Sequence, residues 1–210
     1  MERDYVESEQ DAIARLKGGD LEGMETLVHR YQLQAIRAVY LITGELAAAE
    51  DIVQAAFLRA AERIHQFDDR RPFGPWFLRS VVNDAFKAAN RQNRQVSLDT
   101  SEEIDPLKWL TDPTISPEEQ VQAKEIRQAV KRALDQLSPK QRAVVVMHYY
   151  LEMDQADMGK MLDNPVGTIK WRLHTARKRL RNLLGPLMAI DTPVTERPVK
   201  QETNRKWRKR

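Results

Sequence analysis

The chain has 210 residues, of which 41% are hydrophobic and 31% are charged, and its formal net charge is +3. These values are typical of a globular protein with one large or two small domains, and no apolar run approaches the roughly 18 residues that a membrane span needs. The absence of cysteine excludes disulfides, cysteine zinc sites and a cysteine nucleophile, and it favours a cytoplasmic location.

Charge is distributed unevenly along the chain. Residues 96–119 have a net charge of −6, whereas residues 120–185 have +7 and residues 186–210 have +4. A basic half behind an acidic spacer favours a module that binds a polyanion beside a module that binds another partner. On charge alone, nucleic-acid binding and a merely solvated basic face explain the pattern equally well.

Helical periodicity dominates the first 95 residues. Apolar side chains recur there at steps of three and four, and glycines at Gly18-Gly19 and Gly44 mark two helix ends. A short first helix is predicted before Gly18, and three longer helices are expected at about residues 24–43, 46–65 and 76–94. Two prolines and one glycine predict an irregular loop over residues 68–75.

The second half has its own helix signals. Residues 96–116 are acidic and lack a sustained period, which predicts a linker. Ser116 and Ser138 each precede a proline and are followed at the third position by Glu or Gln, which is a capping-box pattern. A short helix is expected at about 155–162 after the cap Asp154, then a long one from about 166 to 185. No strand-like alternation occurs, so the chain is predicted to be all-α, with a basic, disordered tail over 186–210.

The last two helices have the spacing of a helix-turn-helix motif. From residue 166 to residue 181 the chain has six basic residues and no acidic one. Like charges one turn apart repel each other, which is tolerable if DNA phosphates supply the counter-charge. A basic helix packed on an acidic protein is the alternative.

A polar, basic stripe is predicted along the helix at 76–94, where side chains recur at steps of four, four, three and four: Arg79, Asn83, Lys87, Asn90 and Arg94. Asparagine can read base edges, and arginine and lysine can hold phosphates. Together with Arg70, Arg71 and Trp76 of the preceding loop, this stripe could hold an unstacked base of a single strand. The alternative for Trp76 is a place in the core.

An enzyme and an independent operator-binding regulator are the rival function classes. The four histidines are scattered without metal-ligand spacing, and none of the 8 glycines lies in a nucleotide-binding pattern. We therefore expect no catalytic residues, no metal and no cofactor. A regulator that uses residues 120–185 alone would have no need of the polar stripe and its loop.

Two blocks of motifs resemble the extracytoplasmic-function (ECF) sigma factors of bacteria. The segment from Ala49 to Ala60, AEDIVQAAFLRA, resembles the helix that binds the polymerase core, and Phe73-x-x-Trp76-Phe77-Leu78-Arg79 resembles the minus-10-reading segment. Leu137-Ser138-Pro139-Lys140-Gln141-Arg142 and Gly167-Thr168-Ile169-Lys170 resemble the minus-35-reading domain. The resemblance covers about residues 10–185.

The resemblance implies a division of labour along the chain. It implies a sigma-two-like domain over residues 1–95, an acidic linker over 96–116 and a sigma-four-like helix-turn-helix domain over 117–185. A protein of this kind is an alternative sigma factor: it binds RNA polymerase core enzyme and directs promoter recognition, melting and transcription initiation. The implied partners are the polymerase, promoter DNA and an anti-sigma factor, without a membrane span or a small-molecule substrate.

The resemblance also implies three groups of contact residues. The polymerase-binding residues would be Glu50, Asp51, Gln54, Phe57 and Leu58. The residues at the minus-10 element would be Arg70, Arg71, Trp76, Arg79, Asn83, Lys87 and Arg91. The residues at the minus-35 element would be Thr168, Lys170, Trp171, Arg172, His174, Thr175, Arg177 and Lys178.

The chain departs from the family pattern in the polymerase-binding helix, in the first helix of the helix-turn-helix motif and in the recognition helix: at Ala55, Ala61, Asp157-Met158-Gly159, Trp171 and Thr175. Gly159 lies inside a predicted helix, where glycine costs about 1 kcal/mol relative to alanine. Trp171 replaces a small residue on the predicted recognition helix, and its ring could pack on thymine methyl groups. The preferred minus-35 sequence therefore cannot be transferred from relatives.

Overall fold

The computed structural model describes residues 7–92 and 117–185, where every regular element is helical. The helices are α1 (Glu9–Lys17), α2 (Gly23–Thr43), α3 (Leu46–Glu62), α4 (Phe73–Gln92), α5 (Pro117–Asp135), α6 (Pro139–Val145), α7 (Gln155–Met161) and α8 (Val166–Leu184). A 3₁₀ turn, Ile64–Gln66, follows α3, and a π-helical segment, Val146–Tyr150, follows α6. The all-α prediction is confirmed, and no helix of the described ranges is both long and apolar enough to cross a membrane. The predicted linker over 96–116 and the tail over 186–210 lie outside the described residues. The described chain resumes with α5, which begins at Pro117.

Helix ends follow the start and stop signals of the sequence. Gly44 ends α2 in the left-handed conformation, at φ +85°, and its N–H donates to the Tyr40 carbonyl over 2.8 Å. Ser138 and Gln141 form the predicted capping box at the start of α6. The Asp154 carboxylate accepts a 2.7 Å hydrogen bond from the Asp157 N–H at the start of α7. These local signals act as expected because each satisfies backbone groups that a helix end leaves without a partner.

The start of α4 differs from the prediction. The helix begins at Phe73 rather than near Trp76, so the loop is shorter than the predicted 68–75. The sequence predicts Pro75 to interrupt the helix, but this residue lies in the first turn, where its missing N–H costs no hydrogen bond. The α3 helix also ends at Glu62, earlier than the predicted His65, because the chain tightens into the 3₁₀ turn.

The first four helices enclose an aromatic-rich core. Phe73, Phe77, Val81 and Ala85 are fully buried along one face of α4, at a spacing of four residues. The Phe57 ring of α3 stacks on Phe77, with centroids 4.3 Å apart. The α2 helix packs against α1, α3 and α4 and forms the centre of this domain.

The two helical domains also pack against each other. The α6 helix contacts α2 and α4, and buried residues of both domains belong to one continuous apolar cluster. Arg142 of α6 donates to the Ile42 carbonyl in the last turn of α2 over 3.2 Å and to the Asp135 carbonyl over 3.1 Å. Its burial lowers the pKa of the guanidinium. Lys131 of α5 lies over the Tyr40 ring, 5.4 Å from its centroid, so cations of the second domain cover the end of α2.

Candidate functional site

One face of α8 is exposed and positively charged. Ile169, Leu173 and Ala176 are fully buried and fix how the helix is rotated against its domain. The opposite face includes five of the side chains predicted to bind DNA, all of them exposed: Lys170, Trp171, His174, Arg177 and Lys178. Trp171 is 65% exposed. Thr168 and Thr175 are half-buried beside this face, and the Thr175 hydroxyl donates to the Trp171 carbonyl over 2.9 Å.

The turn between α7 and α8 is held by Arg172 and Gly159. Arg172 is half-buried and donates from Nη2 to the Asn164 side-chain oxygen over 3.1 Å, so it supports the turn rather than the exposed face. Burial lowers the pKa of its guanidinium. The Asn164 N–H donates to the Gly159 carbonyl over 2.9 Å. These contacts fix the angle at which the α8 helix leaves the motif.

A second basic surface follows α4. Arg79, Lys87 and Arg91 are exposed and Asn83 is half-buried, at steps of four residues along one stripe. Asn90 of the predicted stripe is half-buried, and its side-chain amide donates to the Phe86 carbonyl over 2.8 Å, while Arg94 lies outside the described residues. The Lys87 ammonium lies 3.8 Å from Asp84, which also pairs with Arg59 of α3. The stripe therefore combines an amide with three cations, and the charge of Lys87 is partly neutralised by Asp84.

In the loop before α4, Arg70 and Arg71 both pair with the Asp68 carboxylate. The Asp68 carboxylate accepts from Arg70 Nε over 2.9 Å and from the Arg70 N–H over 3.2 Å, and it lies 3.6 Å from Arg71 Nε. These contacts, the Arg70 side chain first, lower the pKa of Asp68 and raise that of Arg70. Both arginines remain exposed, so their N–H groups are within reach of a ligand.

Trp76 lies at the junction of this loop and α4. Its ring centroid is 5.2 Å from that of Phe67 and 5.4 Å from that of Phe73. The side chain is half-buried, so it belongs to the edge of the aromatic core and keeps part of its ring accessible. The core interpretation therefore holds in part, and a role of Trp76 in holding a base stays a prediction.

Both ends of the loop are bound by residues that sequence reasoning missed. Lys17 of α1 donates to the Phe67 carbonyl over 2.8 Å and pairs with Asp69. At the other end, the Phe73 N–H donates to Glu9 over 3.1 Å, and the same carboxylate accepts from the Tyr31 hydroxyl. No spacing pattern signals contacts between residues that lie 50 to 64 positions apart.

A third surface lies on α3. Glu50, Asp51, Gln54 and Leu58 are exposed along one stripe, and Leu58 is 63% exposed. Phe57 differs from the other members of this predicted group, because it is buried against Phe77 and has no access to a partner. The surface therefore combines two carboxylates, an amide and one large apolar side chain.

The fold and these surfaces define an all-α protein with a helix-turn-helix module and a second, partly basic helical module. Models of two protein families match the chain: Sigma-70 region 2 over residues 27–95, and Sigma-70 region 4 over residues 127–180. The curated relative SigW, an ECF RNA polymerase sigma factor of Bacillus subtilis, is 30% identical over 83% of this chain and 96% of its own length. The ECF RNA polymerase sigma-E factor of Escherichia coli strain K12 is 26% identical over 86% of this chain and 96% of its own.

Solved structures have the same fold. The structure of CnrH in complex with the cytosolic domain of CnrY has a TM-score of 0.59 at 20% identity and covers 86% of this chain and 99% of that one. The sigma factor RpoE of Bartonella quintana, in complex with the anti-sigma factor NepR, has a TM-score of 0.56 at 21% identity, over 76% and 96% of the two chains. The chain belongs to the family of ECF RNA polymerase sigma factors, which direct promoter recognition by RNA polymerase.

Proposed function

We propose that this chain is a cytoplasmic, non-catalytic alternative sigma factor with a division of labour between its two domains. Residues 1–95 bind the polymerase core and the minus-10 element, and residues 117–185 bind the minus-35 element. The observation that carries the DNA-binding part is the exposed face of α8, where cations surround one tryptophan without an acidic residue.

The α8 helix suits the major groove. Its first turns present Thr168, Lys170, Trp171, His174 and Thr175, the side chains nearest the N-terminal part that enters the groove in helix-turn-helix proteins. Arg177 and Lys178 follow one turn later, where the phosphate backbone passes. Arg172 acts indirectly, because its bond to Asn164 sets the angle between α7 and α8.

The α4 stripe and its loop suit a separated DNA strand. Trp76 offers part of an aromatic face on which a base can stack. Asn83 offers a donor and an acceptor to a base edge, and Arg79, Lys87 and Arg91 are spaced along the helix to hold phosphates. A site that binds an extruded base stabilises melted DNA over intact duplex.

The α3 surface suits the polymerase. Glu50, Asp51, Gln54 and Leu58 combine charge with an exposed apolar anchor, which is typical of protein interfaces. Phe57 supports this surface from the core. The complex of RpoE with an anti-sigma factor further supports the proposal that a protein of that class sequesters this chain.

Run-off transcription tests the proposal. Purified core polymerase is incubated with and without the full chain on a fragmented genomic library from its host. We expect discrete new transcripts whose upstream regions share two sequence elements. Tight binding to duplex DNA without polymerase, and without new transcripts, would instead identify an independent operator-binding regulator.

A further inference from the structure

We propose that Glu9, Lys17 and Tyr31 are positioning residues for minus-10 recognition, because they hold both ends of the loop over residues 67–72. This inference rests on the proposed function of the loop and of α4. The three residues are called the loop brace below.

Helix α1 acts as a spacer between the two ends of the loop. Glu9 and Lys17 are the first and last residues of this helix, which places them about 12 Å apart along its axis. Six residues of extended chain can span about 20 Å, so the loop cannot fix its own width. Lys17 holds the Phe67 carbonyl at the entry, over 2.8 Å, and Glu9 holds the Phe73 N–H at the exit, over 3.1 Å.

The brace also supplies the cap that the sequence of α4 lacks. The residue before the helix is Pro72, which has no side chain that could accept a hydrogen bond from the first turn. Glu9 accepts from the Phe73 N–H, and the Tyr31 hydroxyl, which lies close to Gly74, donates to the same carboxylate. A carboxylate at this position also interacts favourably with the helix dipole. Burial and Glu9 raise the pKa of Tyr31, which keeps the phenol a donor.

The groups held by the brace are those proposed to meet the DNA strand. Arg70 and Arg71 lie between its two anchor points, and Trp76 packs on Phe67, whose carbonyl Lys17 binds. A change in the distance between the two ends of the loop would therefore move Arg70, Arg71 and the Trp76 ring together. Sites of this kind depend on preorganisation, and a displacement of about 1 Å can cost about a hundredfold in rate.

Arg15 provides a matched control on the same helix. Its guanidinium contacts three carboxylates, those of Glu7, Asp20 and Glu22, at 3.1, 2.7 and 2.8 Å. None of these belongs to the loop. Replacement of Arg15 removes charge-assisted bonds from α1 without touching either anchor point.

The experiment compares Lys17→Met with Arg15→Gln in the full chain, on a promoter that the wild-type protein melts with core polymerase. Permanganate reactivity of minus-10 thymines reports melting, and core affinity and the thermal midpoint are measured in parallel. We expect Lys17→Met to slow melting about tenfold with core affinity unchanged, Lys17→Arg to restore it, and Arg15→Gln to leave it intact. Hydrogen exchange at residues 67–72 of the free protein should accelerate in Lys17→Met alone.

Each result decides a separate statement. Equal melting by Lys17→Met and Arg15→Gln, or a loss that follows the thermal midpoint in both, would overturn the positioning role. Wild-type protein that melts no promoter would overturn the proposed function, and the exchange measurement would then decide whether the brace holds the loop. Unchanged exchange in Lys17→Met would overturn the brace itself.

Discussion

Single side chains decide what each proposed surface can recognise. Trp171 is the most exposed large hydrophobic residue of α8. Its ring is exposed beside Lys170 and His174. It can pack on thymine methyl groups, and its single N–H can donate to a base acceptor but cannot accept a hydrogen bond. Arg172 lies on the same basic helix, but its guanidinium is hydrogen-bonded to the Asn164 side chain.

Trp171→Ser tests base recognition by this ring. We expect the affinity for the promoter duplex to fall by about 1 kcal/mol and the preference at one or two minus-35 base pairs to relax, as for the loss of one base contact. Selection of binding sequences with the polymerase holoenzyme measures both effects. Leu183→Ser, which removes an exposed apolar side chain at the far end of α8, is the control and should leave the preference unchanged.

Asn83→Ala and Asp51→Arg form a reciprocal pair. Asn83→Ala should slow open-complex formation about tenfold and leave core affinity unchanged, because the proposed role of this amide is to contact the separated strand. Asp51→Arg should lower core affinity about tenfold, since it reverses a charge on the α3 surface proposed to bind the polymerase. Association with the core enzyme measures binding, and permanganate reactivity measures open-complex formation. Glu25→Arg, a charge reversal at an exposed residue of α2, is the control and should change neither. Equal losses in both assays for Asn83→Ala would contradict its role in reading a base.

In the helices, close approach between backbone segments explains a glycine that helix propensity alone disfavours. Gly159 lies inside α7, where its intrinsic helix propensity is poor. A Cβ at this position would lie 2.8 Å from the Asn164 carbonyl oxygen, so the glycine lets α7 approach the turn. Gly167, near the start of α8, has nothing within 4 Å of its Cβ position.

The two glycines therefore respond oppositely to alanine. Gly159→Ala should lower the free energy of unfolding by about 1–3 kcal/mol, because the methyl group meets backbone. Gly167→Ala should raise it by up to about 1 kcal/mol through better helix propensity. Urea denaturation measures both. A stabilising Gly159→Ala would show that the turn can shift to admit a side chain.

The whole molecule is one packed body in the described residues, although its sequence is organised as two domains. Arg142 of α6 reaches the last turn of α2, and its side chain is only 12% exposed. Because buried residues of both domains belong to one apolar cluster, we expect the unfolding of one domain to be coupled to that of the other.

Calorimetry tests this coupling. We expect the wild-type protein to unfold in a single transition whose calorimetric and van't Hoff enthalpies agree. Arg142→Met removes the bonds to Ile42 and Asp135 while keeping apolar bulk, and it should separate or broaden the transition. Arg177→Met, an exposed change, should not. Two transitions in the wild-type protein would contradict the coupling.

Local signals in the sequence predict much of this molecule, and contacts between distant residues account for the rest. The caps at Ser138 and Asp154 and the inward face of α4 follow from spacing alone. The start of α4 does not, because its cap comes from Glu9, 64 residues earlier. Phe57 separates two kinds of sequence evidence: the family motif groups it with surface residues, whereas the helical period places it on one apolar stripe with Val53 and Ala60. The structure confirms the period, because all three are buried and Phe57 stacks on Phe77.

The Asp68 carboxylate should make the two surfaces proposed to bind DNA respond differently to ionic strength. Phosphates that meet Arg70 and Arg71 replace Asp68 as their partner, so this contact releases fewer bound ions than the number of arginines suggests. The exposed cations of α8 lack such an internal substitute on their own helix, so duplex binding there releases counterions in full. As the salt concentration rises, we expect the affinity of α8 for the minus-35 duplex to fall more steeply than the affinity of the loop for the separated strand.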